Sequence, residues 1–385
     1  MRLTDEQESI LRGNSGQAMA QAMETIIRYG EAFAAEHLTP IVSGHLAGTF
    51  GVSILKTYYE IIDKLASEGA RFRVPVTTNP RPGEKINLIN RAIFRKQAHL
   101  DRQLLKLGAT PNYSCVCYQE ANVPARGDVL AWAESSAVVW ANSVIGARTN
   151  RNSVLIDLCS ALTGFTPEFG YLKDANRKGG ILVKHNIKKM DAPALGYLIG
   201  RLAVDKVPVI EHYPFSEVEL KNMGGAMAAS GGVAMFHIEG LTPEAPDIKS
   251  AFDADPAETV TIDQAGIDRI RTADPQACDL IVFGCPQMTY EEAMQIAPHF
   301  QKAALKKKVW FCMVPADLEK MKTTDTYAKL IDAGVAFHPF CPTIALTLRL
   351  KNRKVLTNSG KMHYYLSGAA YGNLEDCISA AGGMA

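Results

Sequence analysis

Three cysteines lie where a protein with parallel strands places its reactive side chains. Cys285 follows the strand-like run 279–284, Cys341 follows the run 335–340, and each is followed by a proline. Cys115 stands at the end of a short β-like run. In open α/β sheets, ligands bind beyond the carboxyl ends of the strands. Three thiolates from distant points of the chain could therefore hold a metal cluster, and a proline that fixes the turn after a cysteine also occurs around iron–sulfur ligands.

The same cysteines are also compatible with a purely structural role, because free cysteine is a common small buried hydrophobe. Cys115-Val-Cys117 is not a zinc spacing, and no Cys-X-X-Cys motif occurs in the chain. Cys312 lies inside the apolar run 308–314 and is expected in the core. Three further cysteines have no supporting context: Cys159, Cys278 and Cys377. Spacing alone leaves both interpretations open.

The stretch 131–151 combines an apolar helical pattern with polar side chains. Several polar residues fall inside it and must be hydrogen-bonded if they are buried: Glu134, Ser135, Asn142 and Ser143. Gly146 offers a helix end just before Arg148. The stretch is either a capped core helix followed by a polar turn or a wall that faces a ligand.

A local stretch near the C-terminus is suited to anions. From residue 342 to residue 366 the charged residues are all basic. Within it, Ser359-Gly360-Lys361 follows the strand-like pair 355–356, where backbone amides, a hydroxyl and an ammonium could meet a carboxylate or phosphate. A solvated basic face is the alternative interpretation, because charge runs usually have that role.

The overall composition excludes several classes of protein. The chain has 385 residues, 47% of them hydrophobic, so it can bury a large core and is not disordered. Its 41 Lys+Arg balance 40 Asp+Glu, which provides no general field for nucleic acid or anionic membrane. No apolar run reaches the ~18 residues of a membrane-spanning helix, and the charged N-terminus lacks a secretory signal. We therefore expect a cytoplasmic protein with reduced cysteines.

The elements that would position these residues alternate between strand and helix. Thr4 and Gln7 predict a capping box, and helical spacing follows over 16–34. Strand-like runs, each followed by a helical pattern, continue to the end of the chain: 180–183, 207–210, 233–238, 279–283, 308–314 and 334–337. This alternation predicts an α/β fold. The acidic, proline-containing segment 241–258 is predicted to link an N-terminal lobe (1–240) to a C-terminal lobe (259–385).

Six motifs together resemble the large, catalytic subunit of the aconitase X family. They keep the family's order over nearly the whole chain: Ser-Cys-Val-Cys-Tyr (114–118), Ala-Glu-Ser-Ser-Ala-Val (133–138), Ala-Asn-Ser-Val-Ile-Gly-Ala-Arg-Thr-Asn (141–150), Gly-Cys-Pro (284–286), Cys-Pro (341–342) and Thr-Asn-Ser-Gly-Lys (357–361). The resemblance implies an aconitase-like multi-lobe α/β/α architecture without the family's swivelling domain.

The resemblance also implies a cofactor and a substrate site. Three cysteines would hold a [4Fe-4S] or [2Fe-2S] cluster: Cys115, Cys285 and Cys341. The substrate-binding residues would be Gly48, Thr49, Phe50, Asn79, Pro80, Ser135, Arg148, Ser359 and Lys361. Thr49-Phe50 replaces a smaller Val-Ser pair of the family, and Cys117 replaces a proline. These departures concern the shape of the pocket and hence the substrate.

The implied activity is loss of water from a small 3-hydroxy acid. The family contains dehydratases of cis-3-hydroxy-L-proline, which yield pyrroline-2-carboxylate, and of mevalonate 5-phosphate; the altered pocket favours the first. The base in aconitase-like enzymes is a serine on a swivelling domain, so a small partner subunit of that type is expected to complete a heterodimer. Two other classes stay open, a non-catalytic iron–sulfur sensor and a metal-free binding module.

Overall fold

The computed structural model describes residues 1–47, 52, 56–119, 121–272, 274–301, 305–347 and 354–382. Within them, no helix is both long and apolar enough to cross a membrane. The helices in chain order are α1 Asp5–Leu11, α2 Gln17–Ala32, α3 Lys56–Ser67, α4 Leu88–Ile93, α5 Gln97–Leu107, α6 Ser135–Trp140, α7 Val154–Thr163, α8 Ala192–Ala203, α9 Glu217–Gly231, α10 Gln264–Asp268, α11 Tyr290–Ile296, α12 Pro315–Lys322, α13 Asp325–Ala333, α14 Pro342–Thr347, α15 Gly360–Tyr365 and α16 Leu374–Ala381.

The strands alternate with these helices. In chain order they are β1 Leu38–Pro40, β2 Ser43–Leu46, β3 Val76–Thr78, β4 Leu130–Trp132, β5 Phe165–Pro167, β6 Ile181–Asn186, β7 Pro208–Ile210, β8 His237–Ile238, β9 Thr259–Asp263, β10 Leu280–Met288, β11 Lys308–Met313, β12 Val335–His338, β13 Val355–Thr357 and β14 Ala369–Tyr371. The predicted runs at 180–183, 207–210, 279–283, 308–314 and 334–337 coincide with β6, β7, β10, β11 and β12.

Three parallel sheets and one antiparallel pair contain the described strands. The parallel sheets have the orders β3-β2-β4, β8-β7-β6-β9 and β12-β11-β10-β13-β14, and β1 pairs antiparallel with β5. Parallel strands need crossover connections, and helices lie between most of them in the chain. The predicted α/β class and multi-lobe architecture are confirmed.

The five-stranded sheet is buried on both faces, as its continuous apolar strands require. Successive side chains of a strand point to opposite faces. Ile281 and Phe283 of β10 therefore pack in one core cluster with Phe311, whereas Leu280 and Val282 pack in another cluster on the other face. The sheet is thus a rigid layer whose strand ends can position side chains precisely.

Side-chain caps fix where several helices begin. The predicted capping box of Thr4 and Gln7 is confirmed at the start of α1. Further capping boxes begin α9 at Ser216, α11 at Thr289 and α16 at Asn373. Each satisfies backbone N–H groups that have no partner inside the helix.

The segment 241–258 connects β8 to β9, and both strands belong to the same four-stranded sheet. At its end, Leu182 N–H donates to the Glu258 carbonyl (2.9 Å). The chain passes from this sheet to the five-stranded sheet between β9 and β10. The lobes at 1–240 and 259–385 stay a prediction from the sequence.

Candidate active site

One cavity of about 390 Å³ brings the three candidate thiols together. Cys115 precedes a short 3-10 turn, Cys285 lies in β10, and Cys341 directly precedes α14. The register of β10 against β11 shifts between Phe283 and Met288, so Cys285 lies in an irregular part of the strand. The remaining lining residues are Ala47, Asn79, Pro80, Ala133, Glu134, Ser135, Arg151, Gly284, Pro286, Gln287, Pro342, Thr343, Ile344, Thr347, Lys361 and Tyr365.

Gln287 ties Cys115 to the strand that carries Cys285. Its side-chain Oε1 accepts from the Cys115 backbone N–H, and its own backbone N–H donates to the Cys115 sulfur, both at 3.3 Å. Its Nε2 donates to the Met313 carbonyl (3.0 Å), which anchors the side chain. The two cysteines are far apart in sequence, but these bonds fix their separation.

Cys285 is held by its glycine neighbour and by a serine. Gly284 has φ +99°, and a Cβ there would lie 2.0 Å from the Cys312 carbonyl oxygen, so only glycine fits. Ser359 Oγ donates to the Cys285 carbonyl, and Thr343 Oγ1 lies 3.4 Å from the Cys285 sulfur. Ser359 therefore acts on the backbone that carries the thiol.

Cys341 is fixed by Arg81, which follows β3 of the three-stranded sheet. Its N–H donates to the Arg81 carbonyl (2.9 Å). The Arg81 guanidinium in turn pairs with Glu84 (2.9 Å) and Asp101 (3.0 Å) and lies over the Tyr113 ring. This network joins the start of α14 to the N-terminal part of the chain.

The three thiols are all free; Cys115 and Cys285 are buried, and Cys341 is partly exposed. Burial raises the pKa of Cys115 and of Cys341 to about 12 and also raises the pKa of Cys285. They are therefore thiols at neutral pH, and a metal must displace their protons. In the described part of the chain, no three such side chains are grouped tightly enough for one metal ion. Cysteine thiolates are the ligands that hold iron–sulfur clusters, and these three thiols share one cavity.

Glu134 and Lys361 form a buried ion pair on the cavity wall. Lys361 Nζ lies 2.5 Å from Glu134 Oε1 and 3.1 Å from Ser136 Oγ. Glu134 is the N-cap of α6, where Oε2 accepts from Ala137 N–H (2.6 Å) and Ser136 Oγ (2.7 Å), and Ser135 Oγ donates weakly to Oε1 (3.3 Å). The carboxylate thus has four donors around it.

The charges of this pair stabilise each other. Burial alone would raise the pKa of Glu134, but the Lys361 ammonium outweighs it and the pKa lies below its usual range. Burial alone would lower the pKa of Lys361, but the Glu134 carboxylate outweighs it and the pKa lies above its usual range. Both groups are therefore charged at neutral pH.

Asn79 and Pro80 also line the cavity, directly after β3. The Asn79 Oδ1 lies 3.1 Å from Nε2 of the buried His45, whose Nδ1 lies 2.8 Å from Thr77 Oγ1. Burial lowers the pKa of His45 to about 4, so the ring is neutral. The imidazole holds the Asn79 amide at the cavity wall.

Arg151 and Tyr365 are two of the lining residues that were not foreseen from the sequence. Arg151 Nη1 donates to the Ala228 carbonyl (2.9 Å), and its Nη2 lies 3.4 Å from Tyr365 Oη. Arg151 ends the polar stretch that the sequence indicated, so an alternation of faces along 148–151 could have identified it. Tyr365 has no sequence signal of this kind.

The other predicted site residues have different positions. Ser135 and Lys361 line the cavity, and Ser359 lies behind Cys285 as the N-cap of α15. Arg148 is not brought to this cavity; it donates to the Leu172 carbonyl (2.8 Å) and pairs with Asp174. Three predicted residues lie outside the described residues: Gly48, Thr49 and Phe50.

The polar side chains of this stretch are hydrogen-bonded, as predicted for buried polar groups, and Glu134 caps the start of α6. Asn142 Nδ2 donates to the carbonyls of Thr149 and Ala234, both at 2.9 Å, and Ser143 Oγ accepts from Phe236 N–H. A π-helical turn, Ala141–Ile145, continues α6 and ends at Gly146 with φ +77°. Cys312 is buried in the core, as expected, and Cys117 is buried outside the cavity lining.

Comparison with known proteins gives one consistent family. Models of the aconitase X first, second and third domains match residues 1–175, 162–272 and 278–383. The phosphomevalonate dehydratase large subunit of Methanosarcina mazei is 33% identical, over 100% of this chain and 98% of that protein. The cis-3-hydroxy-L-proline dehydratase of Pseudomonas aeruginosa is 30% identical, over 99% of this chain and 70% of that protein.

A solved structure agrees over the same extent. The crystal structure of Thermococcus kodakaraensis aconitase X in its holo-form has a TM-score of 0.90 and 30% identity, covering 99% of this chain and 100% of that one. The relatives are named dehydratases, which does not fit the alternatives of a sensor or a binding module. The chain belongs to the aconitase X family and is a dehydratase, that is, a hydro-lyase.

Proposed function

We propose that this chain is the large subunit of an iron–sulfur hydro-lyase that dehydrates cis-3-hydroxy-L-proline to pyrroline-2-carboxylate. The observation that carries the proposal is the single cavity shared by three free thiols, Cys115, Cys285 and Cys341, and by a buried ammonium, that of Lys361. Thiols supply cluster ligands and the ammonium supplies an anion contact, so the cavity has the parts that a hydroxy-acid dehydratase needs.

The three cysteines would hold a [4Fe-4S] or [2Fe-2S] cluster. When bound, the cluster supplies a Lewis acid for the departing hydroxyl group. The chain's own contribution is to place the thiols: Gln287 fixes Cys115, and Ser359 fixes the backbone of Cys285.

Cationic and amide groups on the wall would hold the substrate carboxylate. Lys361 and Arg151 offer charged donors, and Asn79 offers an amide. Glu134 fixes the Lys361 ammonium at the wall. A wall of Pro80, Pro286, Pro342 and Ile344 would exclude water from the reacting atoms.

A base for the proton next to the carboxylate would come from a partner. Glu134 is the one carboxylate among the described lining residues. It accepts four hydrogen bonds, and its pKa lies below its usual range. It is therefore a poor base. The relatives named large subunits support a small partner subunit, for which we propose the swivelling-domain type with a serine base.

The number of cationic donors supports hydroxyproline as the substrate. The described lining carries two cations, Arg151 and Lys361, and Lys361 is already paired with Glu134. Two such donors match a single carboxylate better than a carboxylate together with a phosphate, which calls for several converging donors.

Mevalonate 5-phosphate is the second candidate. The Methanosarcina mazei relative named phosphomevalonate dehydratase large subunit matches the whole chain at 33% identity. In sequence, three basic residues follow the lining residue Thr347, and they lie outside the described residues: Arg349, Lys351 and Arg353. They could supply the additional donors for a phosphate.

Metal analysis tests the cluster directly. Protein purified without oxygen and reconstituted should contain stoichiometric iron and acid-labile sulfide, and a Cys285→Ser or Cys341→Ser variant should lose most of both. Cys377→Ser is the matched control, because Cys377 is buried in a different core cluster. Wild-type protein without iron, or equal iron in all variants, would contradict the cluster assignment.

Turnover tests the substrate and the partner. The chain with its small subunit should dehydrate cis-3-hydroxy-L-proline, and the chain alone should be inactive. If mevalonate 5-phosphate is dehydrated and cis-3-hydroxy-L-proline is not, mevalonate 5-phosphate becomes the proposed substrate. Full activity of the isolated chain would refute the partner-borne base.

A further inference from the structure

A second cavity, of about 610 Å³, lies apart from the three thiols. Charged side chains from separate segments surround it, together with the buried His237: Arg126, Arg148, Asp174, Arg177, Lys178 and Glu244. Its volume is within the range of small-molecule sites. Gly146 lines it at the end of the helical segment 135–145, whose N-cap Glu134 lines the first cavity.

Two cations of this cavity have no acidic partner among the described residues. Arg177 pairs bidentately with Glu244, and Arg148 pairs with Asp174. Arg126, however, donates to the Pro243 carbonyl (3.3 Å), and Lys178 donates to the Ser250 carbonyl (2.9 Å). The cavity therefore carries an excess of two positive charges.

The positive charges of the cavity act on Asp174, an acidic residue of its lining. Hydrogen bonding and charge from Arg148, followed by the charges of Arg177 and Lys178, hold the pKa of Asp174 below its usual range. An oxyanion entering the cavity would meet the same field.

His237 supplies an independent sign of a missing ligand group. The side chain is 1% exposed and lines the cavity, and its Nε2 donates to the Arg177 carbonyl (2.7 Å). Because a carbonyl only accepts, Nε2 carries the proton, and burial lowers the pKa of His237, which favours the neutral ring. Nδ1 is then an acceptor, and no described group donates to it. A buried acceptor without a donor destabilises the fold unless a bound group or water supplies one.

We infer that this cavity binds a small hydroxylated oxyanion, with the oxyanion on Arg126 and Lys178 and a hydroxyl donating to Nδ1 of His237. The site is separate from the active-site cavity and does not depend on the proposed function. Phosphate esters and hydroxycarboxylates share this chemistry.

Calorimetric titration of the whole chain tests the inference with matched probes in phosphate-free buffer at pH 8. Glycerol 3-phosphate should bind saturably with a Kd below about 1 mM. Methyl phosphate, which is also dianionic at this pH but has no hydroxyl, should bind at least fivefold more weakly. Glycerate, a hydroxycarboxylate, distinguishes a carboxylate ligand from a phosphate ester; saturable binding of either supports the site.

Variants locate the binding. Arg126→Gln and Lys178→Gln should each weaken binding about tenfold, and both residues are exposed, so the fold should survive. His237→Phe keeps an aromatic ring but removes the Nδ1 acceptor, so it should abolish the preference for glycerol 3-phosphate over methyl phosphate. Arg201→Gln, an exposed cation on α8, is the control and should bind like wild type.

Two outcomes would overturn the inference. Absence of saturable binding by glycerol 3-phosphate and glycerate would mean that water alone satisfies Nδ1. Binding that is unaffected by both Arg126→Gln and Lys178→Gln would place the anion elsewhere. Neither outcome bears on the iron content or turnover that test the proposed function.

Discussion

Replacing Lys361 by methionine should separate its structural role from its role toward substrate. The ammonium lies 2.5 Å from Glu134 Oε1, and the two side chains are 10% and 5% exposed. Methionine retains the length of the side chain but removes the charge. Glu134 would then keep its bonds from Ala137 N–H and Ser136 Oγ but would be a buried carboxylate without a counter-charge.

The expected loss of stability follows from this geometry. Removing one partner of a buried ion pair costs about 3–5 kcal/mol, because an uncompensated charge stays buried. The hydrogen bonds that Glu134 keeps place Lys361→Met at the lower end, about 3 kcal/mol, or about a hundredfold in the folding equilibrium. Loss of a charged contact to the substrate carboxylate should also lower kcat/KM about 10- to 100-fold.

A double variant distinguishes the two effects. Glu134→Gln with Lys361→Met removes both charges, so urea unfolding followed by tryptophan fluorescence should recover about 2 of the 3 kcal/mol. Its kcat/KM should stay low, because the ammonium is still absent. If the losses in free energy of unfolding of Glu134→Gln and Lys361→Met add up to the loss in the double variant, the two side chains are not coupled. A normal kcat/KM in Lys361→Met would remove Lys361 from the substrate site.

Three further variants probe other parts of the molecule. Burial raises the pKa of Asp157 to about 8, above its unfolded value near 4, so its ionisation opposes folding increasingly from about pH 4 to pH 8 at about 1.4 kcal/mol per unit. Asp157→Asn should therefore raise Tm more at pH 8 than at pH 5; an equal change at both pH values would contradict this. Gly284→Ala should cost about 3 kcal/mol in urea unfolding because of the contact at 2.0 Å, whereas Gly13→Ala, at φ +88° with open space, should cost about 1 kcal/mol; equal costs would argue against the steric account. Arg151→Gln should raise KM about tenfold and the exposed control Arg201→Gln should not, and an unchanged KM in both would exclude Arg151 from substrate binding.

The longer strands could be predicted because buried parallel strands are continuous apolar runs. The runs at 279–283 and 308–314 coincide with β10 and β11 for this reason. The run 233–238 was predicted as a strand, but only His237–Ile238 pair in the sheet. β5, with three residues, was not predicted at all. Three residues are too few for a periodic pattern, and the pairing of β5 with β1 is set by packing between distant segments.

The site residues also divide into those that a local sequence pattern identifies and those whose partners only the fold brings together. Strand ends followed by reactive side chains identified Cys285 and Cys341, and the structure brings both to one cavity. Lys361 was identified as an anion contact, but its ion pair with Glu134 spans 227 residues of sequence. No local pattern specifies such a partner. Only the fold shows that the cap of α6 neutralises the ammonium.

Arg148 shows why a continuous motif need not form a continuous site. The segment after Gly146 is extended: Arg148 N–H donates to the Asp128 carbonyl, and the Arg148 carbonyl accepts from Leu130 N–H. Side chains alternate between the two faces of an extended segment, so positions three apart point in opposite directions. Arg151 therefore reaches the cavity with the thiols, whereas Arg148 reaches the second cavity, so the polar stretch 131–151 supplies a cation to each.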